Sequence, residues 1–326
     1  MCLIAIAWRV HPRFPLALIA NRDEFHGRPT APAGFDPDAP DVYGGRDLLQ
    51  GGSWLQASTR GRLAAVTNVR AGLANEAAPR SRGALVRDFA RGDGRADASL
   101  RALAPIAAEF GRFNLLAWDG EALAFASNHP GFATHAVEPG LHAMSNGAFD
   151  APWPKSTHAT RALSAWLASP AAGAESFDMP ALAPLLDALA DTTTAPDDAL
   201  PDTGVGLALE RTLSPPFVRG ERYGTRCSSV VLAGREAIVF AERRYGPDAI
   251  ILGESLATLP LAAARPDADL PDAGRSDASR PDASRPDAGR PDASRPDAGR
   301  PDTDRPDADL PETGRSGAGH PDTGRS

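Results

Sequence analysis

Apolar residues dominate positions 3–10, where Arg9 is the one charge, and return at 14–20 after the turn His11-Pro12. That pattern predicts an opening hairpin of two strands. The polar run Asn21-Arg22-Asp23-Glu24 follows at the end of the second strand. Polar groups there pack poorly and are well placed for chemistry. Turns rich in Pro and Gly are expected from there to Gly52. Residues 54–57 and 63–68 read as a second hairpin, turning at Arg60-Gly61.

Helical spacing appears next. Leu85, Val86 and Phe89 predict a helix over 82–90. A second helix over 97–110 is capped by Asp97 and kinked or broken by Pro105. Residues 113–118 and 122–127 form a hairpin through Asp119-Gly120, and 142–146 a short strand ending in Ser145-Asn146-Gly147. Helices follow over 155–167 and 179–189, the latter with the stripe Leu182, Leu185, Leu186 and Leu189. A hairpin of 226–233 and 237–243 closes the folded part. Strands, helices, strands, helices, strands is not the alternation of a parallel sheet. It predicts an α+β fold of antiparallel sheets stacked between helical layers.

Composition divides the chain. From residue 265 to 326 it becomes a five-residue repeat such as Arg280-Pro281-Asp282-Ala283-Ser284. Apart from Leu270 and Leu310 this stretch has almost no large apolar residue, so it cannot offset the entropy of ordering and is expected to be disordered. The folded domain is therefore residues 1–264. A net charge of −8 argues against nucleic acid as the main partner. Two cysteines, Cys2 and Cys227, make neither a disulfide framework nor a zinc cluster, and fit a reducing compartment. No apolar run is long enough for a membrane span, and Arg9, His11 and Arg13 interrupt the start in a way no signal peptide has. A cytoplasmic location is expected.

Cys2 changes the picture. Initiator methionine is generally excised before a small residue, which would leave a thiol and a free α-amine on one residue. Such a residue carries its own nucleophile and base. The amine titrates near pKa ~8 and the thiol near ~8.5, so both exchange protons close to neutral pH. The thiol needs a carboxylate to hold the amine, a cation to lower its pKa, and amide donors for an oxyanion. Asp23, Arg22 and Asn146 are candidates for these roles. Each also has a structural reading: an Arg22–Asp23 ion pair, Asn68 as a turn residue, Asn146-Gly147 as a hairpin turn.

Met1-Cys2-Leu3-Ile4, Asn21-Arg22-Asp23-Glu24-Phe25, Gly51-Gly52-Ser53-Trp54, Thr67-Asn68-Val69-Arg70, Ser145-Asn146-Gly147, Pro152-Trp153-Pro154-Lys155 and Tyr223-Gly224-Thr225-Arg226 occur in that order. Together they resemble the NRDE family, which includes the transport and Golgi organization protein 2 homologues. The resemblance covers residues 1–250. That family is in turn similar to the N-terminal nucleophile hydrolases, especially the cysteine group of bile-salt and penicillin V acylases. The resemblance implies a four-layer αββα sandwich, with Cys2 as nucleophile, Arg22 beside the sulfur and Asp23 orienting the amine. It implies Asn146, with Asn68, as the oxyanion hole, and Arg226 as a second cation. Asn21, Glu24 and Asn68 are the implied substrate contacts. The family usually has serine or threonine at position 227, so no required role for the Cys227 thiol is implied.

In those acylases the Arg and Asp are separated by two residues, whereas Arg22 and Asp23 are adjacent. Neighbours on a regular strand face opposite sides. Either a bend brings both to Cys2, or Glu24, on the face of Arg22, takes the carboxylate role. The implied activity is that of a hydrolase or acyltransferase on an amide or thioester, with no cofactor or metal required. Eukaryotic members are also linked to Golgi organization, acyl-coenzyme A metabolism and haem movement, which implies the alternative of a non-catalytic haem or acyl-lipid carrier. Haem needs an axial ligand. The histidines His11, His26, His129, His135, His142 and His158 are candidates, and none lies in a Cys-x-x-Cys-His motif.

Overall fold

Alternation of large apolar side chains builds two antiparallel sheets in a computed structural model that describes residues 2–73 and 78–262. The repeat expected to be disordered lies outside the described residues. The chain opens with β1 (Cys2–Trp8), β2 (Leu16–Phe25), β3 (Thr30–Asp36), β4 (Ala39–Asp47), β5 (Leu55–Ser58) and β6 (Arg62–Asn68). Helices α1 (Arg82–Arg91) and α2 (Ala96–Arg101) come next, then β7 (Phe113–Trp118), β8 (Leu123–Ser127), β9 (Ala133–Ala136) and β10 (Gly140–Met144). Helices α3 (Pro154–Leu167), α4 (Met179–Leu189) and α5 (Leu207–Thr212) lead to β11 (Tyr223–Ala233), β12 (Ala237–Tyr245) and β13 (Ile251–Pro260). One sheet runs β10-β1-β2-β11-β12-β13 and the other β3-β4-β5-β6-β7-β8-β9.

Side-chain alternation sorts the apolar residues into three layers of core. Ile4, Ile6, Leu16, Leu18, Val231 and Phe240 of the first sheet meet Leu55, Leu63, Leu116 and Trp118 of the second. On the outer face of the first sheet, Leu3, Ala5, Ile19 and Val230 pack against Leu163 of α3 and the Leu182, Leu185, Leu186 and Leu189 stripe of α4. On the outer face of the second, Val66, Phe113 and Leu115 pack against Val86 and Phe89 of α1 and Leu100 of α2. Burying one such side chain contributes about 1.5–3 kcal/mol, and a one-residue slip would reverse every face at once, so the register is strongly specified. The result is the expected αββα layering, α+β with antiparallel sheets.

Several local expectations are corrected. Asn21 to Phe25 continue β2 rather than follow it, because β11 pairs with them as far as Phe25. The stretch read as turns up to Gly52 contains the β3–β4 hairpin. The helix expected over 97–110 splits into α2 and a 3-10 segment, Ala104–Glu109, with Pro105 in its first turn. Asp97 lies in the first turn of α2 and not at its cap; Asp119 instead receives the Ala96 N–H at 2.7 Å. The strand before Asn146 ends at Met144. The folded part closes with β13, one strand later than expected.

Candidate active site

The strand ends at one pole of the sandwich bring the sequence-selected residues together. Cys2 pairs with Arg22 in the β1–β2 ladder, and Arg22 pairs with Cys227 on β11. Asp23 pairs with Thr225, and Arg226 is the extra residue where the β2–β11 register shifts. A bulge of this kind re-aims a side chain at the end of a ladder. From β10 the chain passes through Ser145 to Asn146, and from β6 it reaches Asn68.

Because β2 stays regular, the adjacent residues separate by face. Arg22 and Glu24 share the face between the sheets, where Glu24 Oε2 lies 3.6 Å from Arg22 Nη2 and 3.7 Å from Arg28 Nε. Glu24 Oε1 accepts the Phe25 N–H at 3.0 Å. Arg22 is buried, with its guanidinium carbon 4.3 Å from the centre of the Trp54 ring. A cation over an indole face is held by the ring quadrupole. Gly45 lets Trp54 lie there, since a Cβ on it would come within 2.2 Å of the ring. Arg226 Nη1 donates to the carbonyls of Phe25 at 2.7 Å and Arg28 at 3.3 Å. Burial and the nearby Arg22 charge depress the pKa of Arg226.

Asn21 and Asp23 face the helical layer. Asn21 uses both amide hydrogens on the Leu189 and Pro216 carbonyls, each at 2.8 Å, and its oxygen accepts the Ser228 hydroxyl at 2.6 Å. It ties the end of α4 to the sheet. Asp23 is buried and accepts the Thr225 hydroxyl at 2.6 Å. Burial pushes its carboxyl above the usual range, against the opposing pull of Lys155, the Thr225 hydroxyl and Arg22. Lys155, in the first turn of α3, is itself buried and donates to the Leu213 carbonyl at 3.0 Å.

Asn146 and Asn68 meet directly. The fully buried Asn146 amide donates to the Asn68 side-chain oxygen and carbonyl, both at 2.9 Å, while its own carbonyl accepts the Arg70 N–H at 2.8 Å. The second sheet clamps this loop. Thr67 Oγ1 donates to the Ser145 carbonyl at 2.6 Å, and Asn114 Nδ2 to the Gly147 carbonyl at 2.7 Å. Gly147 is required there because a Cβ would come within 2.5 Å of the Trp153 ring.

Arg70 belongs to the motif Thr67-Asn68-Val69-Arg70, whereas Glu210 and Glu242 were not singled out from the sequence. Arg70 pairs with buried Glu210 at 2.6 Å, and Glu210 also accepts from the Thr203 N–H and hydroxyl. The gap beside them, lined by Trp153, Lys155 and Leu213, is about 10 Å³, enough for one water at most. Glu242 of β12 is buried between the sheets and accepts the Ala33 N–H at 2.9 Å. Burial raises its pKa, while Arg244, the Cys227 thiol and Arg22 pull the other way. Its position was legible, because Glu242 continues the inward-facing series Ile238, Phe240. A larger hollow of about 550 Å³ lies at the opposite strand ends, beside Arg13, Phe14, Phe177 and Arg235. None of the selected site residues lines it.

The histidines lie away from the selected site residues or make ordinary structural contacts, His135 and His142 both packing on Phe149. His11 stacks on Phe14, His26 bonds the Gly220 carbonyl, His135 packs on Phe125, His142 bonds Asp150 and His158 bonds the Ala188 carbonyl. Among the described residues, no helix is long and apolar enough to cross a membrane.

The Transport and Golgi organisation 2 family model matches residues 1–247. The transport and Golgi organization protein 2 homolog of Bos taurus is 33% identical over 263 residues, covering 74% of this chain and 92% of the bovine one. The Homo sapiens homolog is 31% identical over 261 residues, with the same coverage. Among solved structures, the fold is similar to a mutant conjugated bile acid hydrolase from Clostridium perfringens. That likeness has a TM-score of 0.42 and 8% identity, over 79% of this chain and 96% of the other. A Caenorhabditis elegans N-acylethanolamine-hydrolyzing acid amidase ortholog gives 0.40 and 10%, over 71% and 92%. The family match spans every motif from Met1-Cys2 to Thr225-Arg226, and this chain belongs to the Transport and Golgi organisation 2 family.

Proposed function

We propose that this chain is an N-terminal-cysteine hydrolase or acyltransferase acting on an amide or thioester carbonyl. One observation carries the reading. The β1–β2 ladder sets Cys2 opposite Arg22, and Asn146 follows two residues after Met144, the β10 partner of Ile4 at the same end of β1. A cation and an amide pair therefore flank the one residue that carries both a thiol and, once Met1 is removed, a free amine.

The chemistry follows from these groups. The neutral α-amine takes the thiol proton, and the thiolate attacks the carbonyl carbon to form a C–S bond. The carbonyl oxygen becomes an oxyanion and needs preorganised N–H donors. Asn146 uses its amide on Asn68, so the remaining donor of the pair is Asn68 Nδ2, which has no partner among the described residues. Collapse breaks the bond to the leaving nitrogen or sulfur, which takes the proton back from the ammonium. Water or an acceptor nucleophile then releases the acyl group. Asp23 holds the ammonium in this scheme, and Arg22 favours the thiolate.

The test is intact-mass analysis followed by labelling with an acyl-type electrophile. The expected result is protein lacking Met1, one label on Cys2, and no label or turnover in Cys2→Ala. Protein that turns over substrate with Met1 still attached, or Cys2→Ala that keeps full turnover, overturns the proposal.

A further inference from the structure

Most of the ionic groups at this pole are matched. Asp47 takes Arg28 through two bonds of 3.2 and 2.6 Å, and Glu210 takes Arg70 at 2.6 Å. Arg22 and Arg226 are not matched in this way. The carboxylate oxygen nearest to Arg22, Glu24 Oε2 at 3.6 Å, is beyond hydrogen-bond length and is shared with Arg28. Among the described residues, Arg226 has no carboxylate oxygen within 4.0 Å. Among the described residues, both guanidiniums also hold a buried N–H without an acceptor, Nη1 of Arg22 and Nε of Arg226. The Arg22 side chain is only 7% exposed, so this orphaned donor sits where water does not serve it.

The two arginines are neighbours across the ladder, with Arg226 in the bulge between the partners of Arg22 and Asp23. Their like charges oppose each other, and each is immobilised: Arg22 on Trp54, Arg226 on the Phe25 and Arg28 carbonyls. Two fixed guanidiniums keep unused donors, and the carboxylates between the sheets do not close on them: Glu24 stands 3.6 Å from Arg22, and Glu242, which also feels the Arg22 charge, leaves one buried oxygen without a partner among the described residues. An oxyanion is the group that satisfies both, since charge-assisted bonds to guanidinium are roughly twice as strong as neutral ones.

We infer that Arg22 and Arg226 form an anion seat, and that the ligand of this site carries a carboxylate or phosphate near its acyl carbonyl. This deepens the hydrolase reading by naming the substrate class as an acidic acyl compound. Glu24 is the internal stand-in. Its side chain is 25% exposed and holds Arg22 only at 3.6 Å, so the incoming anion displaces it toward solvent. The two substitutions therefore act in opposite directions: Arg226→Gln removes half of the seat, whereas Glu24→Gln removes its competitor.

The experiment measures binding by calorimetry to Cys2→Ala protein whose mass shows Met1 removed, so that no turnover intervenes. The probes are N-dodecanoylglycine, its neutral primary amide, and dodecyl phosphate. The acid is expected to bind about tenfold more tightly than the amide, a preference that weakens as salt is raised. Arg226→Gln abolishes the preference, Arg226→Lys keeps part of it, and Glu24→Gln enlarges it. The ranking of acid against phosphate identifies which oxyanion the seat prefers. Equal binding of acid and amide overturns the inference. So does a preference that survives Arg226→Gln in protein with an unchanged circular-dichroism spectrum. Wild-type protein that binds the acid preferentially yet turns over nothing would remove the hydrolase reading and leave the seat standing.

Discussion

Gly45→Ala would test whether Trp54 is the platform that positions Arg22. Gly45 lies on β4, and a Cβ built on it falls 2.2 Å from two carbons of the Trp54 ring, where ordinary contact begins near 3.4 Å. The indole must therefore move by about 1 Å or more, since a packed core does not absorb such an overlap. Forced overpacking costs about 1–3 kcal/mol. The displaced ring also loses its place under the Arg22 guanidinium, now 4.3 Å from its centre. A partly desolvated cation–π contact adds about 1–2 kcal/mol to that loss. The expected destabilisation is the sum, read as a lower urea midpoint at unchanged slope.

The chemical consequence is separable from the stability loss. In a Cys227→Ser background Cys2 is the sole cysteine. The rate of its alkylation by iodoacetamide, followed against pH, reports its thiol pKa. With Arg22 in place the midpoint is expected below the free-cysteine value of ~8.5. With Trp54 displaced it is expected to rise by about one unit, equivalent to about 1.4 kcal/mol of lost stabilisation of the thiolate. A Gly45→Ala protein that is destabilised but keeps the parent midpoint would refute the link from Gly45 through Trp54 and Arg22 to the thiol. One that loses no stability would refute the packing argument itself.

Two further substitutions probe buried charge. Glu210→Ala takes the carboxylate from Arg70, a pair whose side chains are 7% and 3% exposed, and strands the Thr203 N–H and hydroxyl. The expected loss is about 3–5 kcal/mol in a urea melt, and a loss below about 1 kcal/mol would show that the pair is not acting as a buried one. Glu242→Gln tests a raised carboxyl, whose folded state holds its proton to higher pH than the unfolded state does. That group costs nothing below the ordinary carboxyl range and costs progressively more as pH rises from there through its folded pKa. The Gln variant should therefore match wild type near pH 4 and gain on it toward pH 7, whereas a pH-independent difference between the two melts would contradict the sign.

What was legible in the sequence follows from how each segment is stabilised. Helices α1, α3 and α4 carry one apolar stripe each, and their expected positions agree with the structure to within a residue or two. Strands β1, β5, β6, β7 and β8 have an apolar face packed on the core, so their composition identifies them. The β3–β4 hairpin was read as turns because Pro32, Gly34, Gly44 and Gly45 dominate it. Gly44 and Gly45 are there for close approach to Leu55, Gln56 and Trp54, a demand set by other strands. Strand β13 escaped notice because it is a sheet edge with Ile251, Leu252 and Leu256 exposed, and only Leu259, with Ala257 beside it, reaches the core. At the site, the motifs placed Arg22, Asn68, Asn146 and Arg226 at one pole. The motif Pro152-Trp153-Pro154-Lys155 marked Lys155 without its contacts, and Glu210 lies on the short helix α5, which no apolar stripe announced; both return to that pole from far along the chain.

The adjacency of Arg22 and Asp23 is best understood through the geometry of the amine rather than of the side chains. Alternation sends Arg22 and Glu24 between the sheets, and Asn21 and Asp23 toward the helices, without a bend in β2. It does not decide which carboxylate serves Cys2, because an α-amine is a backbone group lying in the plane of the sheet and open to both faces. The surroundings of the two acids do discriminate. Glu24 is partly exposed, and its charge already serves Arg22 and Arg28. Asp23 is buried, its carboxyl is pushed up by desolvation, and Thr225 fixes its orientation. A desolvated carboxyl gains more from an adjacent ammonium than a solvated one, since the same charge pair interacts several-fold more strongly in the less polar setting. Placing the thiol's cation and the amine's anion on opposite faces also keeps Arg22 from neutralising the carboxylate meant for the amine. On this reasoning Asp23 is the carboxylate we assign to the Cys2 amine. The adjacent pair is then a separation of two charges across the sheet.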